Sequence, residues 1–136
     1  MQFDTKIALA LRANLPTWQK LNVAAFLTSG ITGANPDLLG QPYRDASGNG
    51  YARLLGQPVL VFAGEAADLT RAHARALERE VPLAIYIEPM FSTGFDAANR
   101  ATVAACNADA LPLVGMALHA ERKLVDKILK GMKLHP

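Results

Sequence analysis

Short apolar runs alternate along the chain with longer segments in which apolar residues recur every three or four positions. Thr5 to Leu11 reads TKIALAL, apolar on both alternating faces, which suits a strand covered on both sides. A helical stretch follows from about Thr17 to Ile31, with Trp18, Leu21, Ala24 or Ala25 and Thr28 recurring on one face. Pro16 suits a helix start, and Asn14 or Thr17 offers a cap. Pro58 to Phe62 (PVLVF) predicts a second strand running into a helix from Glu65 to about Glu80. That helix places Ala66, Leu69, Ala76 and Leu77 inside and Arg71, Arg75 and Arg79 outside. Pro82 ends it, and Leu83 to Ile87 (LAIYI) predicts a third strand. Asp96 caps a further helix over Ala97 to Cys106; Leu113 to Leu118 is the fourth strand, and Glu121 to Lys130 closes as an amphipathic helix.

Strands alternating with helices, each strand apolar on both faces, define an α/β protein. The expected architecture is a three-layer α/β/α arrangement around a four-stranded, mainly parallel or mixed sheet, formed by residues 1–136 as a single domain. Between Gly33 and Gly56 the pattern turns irregular. Pro36 to Leu39 suggests one helical turn and Gly48-Asn49-Gly50 a flexible one. Loops of this length in small domains commonly carry function.

Composition narrows the classes. With 51% hydrophobic residues the chain folds rather than staying disordered, yet no apolar run approaches a membrane span. The opening MQFDTK carries an acid and passes directly into a strand, unlike a signal peptide. A single cysteine allows no internal disulfide and fits a reducing, cytoplasmic setting. The net charge of +2 neither requires nor excludes nucleic acid. Five of the 14 basic residues (Arg122, Lys123, Lys127, Lys130, Lys133) fall near the C-terminus without interleaved aromatics, so they read as a solvated helix face more than as an RNA-binding surface.

No glycine-rich phosphate cradle or nucleophile elbow follows a strand, and no cofactor is implied. His73, His119 and His135 are far apart, which speaks against a metal site. Cys106, on an alanine-rich helix, reads as a packed thiol and His73 as a packed or edge histidine.

Three segments resemble the type II peptidyl-tRNA hydrolase superfamily. Lys6 to Ser29 is similar to its opening, in which a strand ends in Arg and a lysine-bearing turn leads into a helix; Arg12, Asn14, Leu15, Lys20, Val23, Ala24 and Ala25 fit that outline. Pro82 to Thr93 is similar to its strand ending in an acid before a hydroxyl-bearing turn, with Glu88 as the acid and Ser92 or Thr93 as the hydroxyl. The closing VDKILKGMKL fits through Asp126, Lys127, Lys133 and Leu134. The overall pattern is identified with the domain of unknown function 2000 family within that superfamily.

The resemblance implies a catalytic set of Lys20, Glu88 and Thr93. A carboxylate beside an ammonium and a water-orienting hydroxyl would suit hydrolysis of an acyl ester such as peptidyl- or aminoacyl-tRNA. The same residues also read as a structural Lys–Glu pair with a turn-capping hydroxyl. Departures favour the second reading: Phe26 replaces the family's glutamine, Ser29 its histidine, and Pro89-Met90-Phe91 a small turn. The preferred expectation is therefore a non-hydrolytic binder of a small or polar ligand through Arg12, Asn14, Phe26, Ser29, Phe91 and Ser92 at the sheet edge. A homodimer is expected from the resemblance; tRNA is the less favoured partner, and no membrane is involved.

Overall fold

The computed structural model describes residues 2–136. Along the chain come β1 (Thr5–Arg12), α1 (Thr17–Ala34), the two-residue strands β2 (Tyr43–Arg44) and β3 (Gly50–Tyr51), and β4 (Val59–Gly64). They are followed by α2 (Ala66–Glu78), β5 (Ala84–Ile87), α3 (Asp96–Ala104), β6 (Leu113–Glu121), α4 (Arg122–Ile128) and β7 (Lys133–Leu134). The main sheet runs β5-β6-β1-β4-β7. It has five strands, one more than the sequence pattern supplies, because β7 spans two residues and is too short to show a periodicity. Only β1 and β4 are parallel; β6 lies antiparallel to β1 and to β5, and β7 antiparallel to β4, so the sheet is mixed.

β1 lies mid-sheet because alternation serves both of its faces. Ile7, Leu9 and Leu11 enter the core beneath α1, while Ala8 and Ala10 enter the opposite core with residues of α2 and α4. The small alanines let α2 approach closely through Leu69, Ala72 and Ala76. Arg75 ties that layer together, donating from its guanidinium to the carbonyls of Ile128 (3.3 Å) and Lys130 (2.8 Å) at the end of α4. Leu77 and Ala66, expected inside, face solvent, and His73 takes a buried place instead.

α1 also turns a different face inward. Val23, Leu27 and Ile31 are buried, whereas Trp18 and Leu21 are 63% and 68% exposed. The reason is in its sequence: Lys20 is its one charged residue, so the helix has no polar side to set the phase of the pattern. The segment read as a flexible turn is well tied. Gly40 N donates to Leu54 O and Gly56 N to Leu38 O, both at 2.8 Å, and the Asp45 carboxylate accepts from Ser47 N, Asn49 N and Tyr51 Oη across the β2–β3 hairpin. The helix expected over Ala97 to Cys106 is α3.

Candidate functional site

Strand polarity gathers the polar ends. β1 and β4 are parallel, and β5 has the same sense because both β1 and β5 are antiparallel to β6. Their carboxyl ends therefore share one edge of the sheet, where α/β proteins place ligands. α1 starts from that edge directly after β1. Arg12, the last residue of β1, reaches across the start of β6 to Glu88, just past β5, with Nη1 to Oε2 at 3.1 Å. The Arg12 Nε is buried and has no hydrogen-bond partner among the described residues.

On the α1 side of this edge lies a cavity of about 260 Å³. Its walls are Trp18, Phe26, Tyr86, Met90, Phe91 and Phe95, with Asn22, Thr93, Asn99 and Asp96, itself paired with Arg100, as polar lining. The rings pack obliquely: Tyr86 to Phe91 has centroids 5.1 Å apart, Phe26 to Tyr86 5.9 Å, and Trp18 to Phe91 6.3 Å. Tyr86 forms the floor and is buried, which pushes its phenol upward from 10.0, while a hydrogen bond with Asn22 works the other way. Phe26 stands half exposed at the rim. A short 3₁₀ turn over Glu88–Ser92 swings Met90 and Phe91 beneath Trp18, and Thr93 Oγ1 lies 3.0 Å from Met90 O and within reach of Asn99 Oδ1.

A second cavity, about 310 Å³, occupies the other flank of α1. Leu11, Leu21, Ala24 and Val61 line it, with Thr17, Lys20 and His135. Lys20 Nζ is 2.9 Å from His135 Nε2.

The residues singled out from the sequence are thus distributed over separate places. Lys20 faces His135, Glu88 faces Arg12, and Thr93 faces Asn99. Phe26, Phe91 and Thr93 meet in the aromatic cavity. Asn14 lines a hollow with Arg12, Gly64 and Glu65. Ser29 donates to Phe26 O at 2.6 Å on the exposed side of α1, and Ser92 is exposed. Sequence reasoning missed Asn22, Tyr86, Asn99 and His135. Asn22 was within reach, since it lies four residues from both Trp18 and Phe26 on one helix stripe. Among the described residues no group of three His, Cys, Asp or Glu side chains could hold a metal ion, and no helix is long and apolar enough to cross a membrane.

A mixed sheet covered by helices on both faces, with an aromatic cavity at its carboxyl edge, defines an α/β protein. More particularly, the chain belongs to the family described as protein of unknown function (DUF2000), which it matches over residues 5–136. It is similar to a solved structure, the protein of unknown function Atu0240 from Agrobacterium tumefaciens strain C58, with a TM-score of 0.97 and 52% identity over 99% of this chain and 100% of that one. No curated protein matches it.

Proposed function

We propose that this protein binds a small, neutral, planar molecule in the aromatic cavity, on a fold related to type II peptidyl-tRNA hydrolases but without their reaction. The observation that carries this reading is the lining itself: five aromatic residues around about 260 Å³, with the amides of Asn22 and Asn99 and the Thr93 hydroxyl among them. Aromatic walls interrupted by placed polar groups give a small molecule both contact area and orientation. The amides orient a ring carrying a carboxamide or similar group, while the rings supply the contact area.

Hydrolysis is less well supported. Ester cleavage needs a proton-transfer group beside the attacking water and a donor to the developing oxyanion. Glu88 is engaged by Arg12, Lys20 lies on the opposite flank of α1, and Thr93 has only Asn99 and a carbonyl within reach.

Trp18, the one tryptophan of the chain, stands on the cavity wall and reports occupancy. Titration with benzamide is expected to change its fluorescence saturably in the millimolar range, as suits a fragment contributing about 0.3 kcal/mol or somewhat more per non-hydrogen atom. Phe91→Ala and Asn99→Ala should each weaken binding several-fold. No saturable change with the folded protein would refute the reading, as would release of free tRNA from peptidyl-tRNA that is lost in Glu88→Ala.

A further inference from the structure

The aromatic cavity leaves one partly buried cation unused. Lys20 is half-buried, and no carboxylate stands beside it: the ion pairs among the described residues join Lys6 to Asp126, Arg12 to Glu88, Arg71 to Asp68, Arg79 to Glu78 and Arg100 to Asp96. Among the described residues its hydrogen-bond partner is the His135 imidazole. An ammonium can only donate, so His135 Nε2 accepts from it, and the ring proton then sits on Nδ1, which donates to Pro136 O at 2.9 Å. Its remaining N–H bonds meet no other acceptor among the described residues.

What they can serve is set by the fold. α1 packs over β6, β1 and β5, while Val59 and Val61 of β4 stay only partly buried at the border of that core. The cavity of about 310 Å³ lies where α1 overhangs Leu11 of β1 and Val61 of β4, beside His135. Apart from Lys20, His135 and the Thr17 hydroxyl, its lining is hydrocarbon. β7 closes one side, because its pairing to β4 and the bond from His135 N to Val61 O (2.8 Å) fix His135 opposite Lys20. Lys20 also sits near the start of an 18-residue helix with no acid in its first turn and no side-chain cap, so the helix dipole adds to the positive field.

We infer that this cavity binds a monocarboxylate carrying a short apolar chain: the carboxylate rests on Lys20, and the chain lies against Leu11, Leu21, Ala24 and Val61. The single positive charge matches one negative charge, and the hydrocarbon walls exclude a hydrophilic anion. A charge-assisted hydrogen bond in a half-buried setting is among the stronger polar contacts available. The cavity is distinct from the aromatic one, with which it shares no residue.

Isothermal titration of the full chain separates the contributions, using octanoate below its micellar range, octanol as tail without charge, and acetate as charge without tail. Octanoate should bind saturably at one site, with octanol weaker by about 10-fold, the order of one charged hydrogen bond, and acetate weaker by at least as much for want of buried hydrocarbon. Lys20→Met should weaken octanoate on the order of 10-fold and leave octanol unchanged. Lys20→Arg should retain most of the affinity, and Ala24→Leu, which fills the hollow, should remove octanoate binding. N-acetyl-leucine in place of octanoate tells whether a free acid or the carboxyl end of a peptide fits better. Equal binding of octanoate and octanol, indifference to Lys20→Met, or no octanoate binding by protein with native circular dichroism would each overturn the inference. Benzamide titration through Trp18 remains an independent measurement, so failure at one cavity does not mimic failure at the other.

Discussion

Gly115 sets the height of α1 above the sheet, and replacing it by alanine tests how both cavities are held. It lies in β6 beneath the helix, where an added Cβ would meet Val23 Cγ1 at 2.6 Å, Leu27 Cδ1 at 3.1 Å and Leu11 Cδ2 at 3.3 Å. The first separation is closer than real carbon contacts, and all three neighbours are buried and cannot swing into solvent. Overpacking of this kind costs about 1–3 kcal/mol. Replacing a strand glycine recovers roughly 0.5–1 kcal/mol through the unfolded chain. A net loss of about 1–2 kcal/mol follows, seen as a lower urea midpoint with an unchanged slope. Val23→Ala alone should cost about 2 kcal/mol by leaving a void. In the double variant the alanine at 115 enters space vacated by Val23, so the combined loss should fall short of the sum by about 1 kcal/mol or more. Because α1 walls both cavities, Gly115→Ala should also weaken benzamide and octanoate several-fold. A Gly115→Ala protein as stable as the wild type, or a strictly additive double variant, would refute this account of α1.

Two further outcomes concern titration. His73 is buried on α2, and burial disfavours its imidazolium and lowers its pKa from 6.5, so the unfolded chain binds more protons there; stability should decline as pH falls below about 6.5, level off beneath the folded value, and decline less in His73→Gln, as urea midpoints across that range would show. The Asp45 carboxyl is held down to about 2, first by the Tyr51 hydroxyl and then by Asn49, so the hairpin's contribution is present above 3.8 and lost as pH falls toward 2; Tyr51→Phe should raise the Asp45 pKa in a carboxyl-resolved NMR titration, and no change would refute the assignment.

The strands legible from sequence were those with enough residues to display their pattern. TKIALAL and LAIYI fall within or across β1 and β5, and the alternating faces of β1 supply both cores. β7 and the β2–β3 hairpin had only two residues per strand, and their pairing depends on partners elsewhere, such as Phe62 for Leu134. α1 was legible as a helix but not in its rotation. A helix with one charge fits a sheet in several orientations by hydrophobicity alone, and the choice falls to shape: Gly115 accepts Val23 and Leu27, whereas an indole has no such recess.

That rotation also explains why the site was half visible. Once Val23, Leu27 and Ile31 face the sheet, the flanks of the same helix are assigned: Trp18, Asn22 and Phe26 turn toward β5 and the 88–99 segment, while Thr17, Lys20, Leu21 and Ala24 turn toward β4. Phe26, midway along α1, and Phe91, in the turn after β5, meet because both border that flank. Lys20 was legible as a cation at the start of a helix, but its partner is 115 residues away and arrives only through β7. Glu88, the first residue of the Glu88–Ser92 turn, was read as a neighbour of Lys20; the strand order places Arg12 across β6 from it and makes those two an ion pair. Residue types therefore indicated which groups could act. Which of them meet is decided by the order β5-β6-β1-β4-β7, and that order separates Lys20 from Glu88 by directing them to different neighbours.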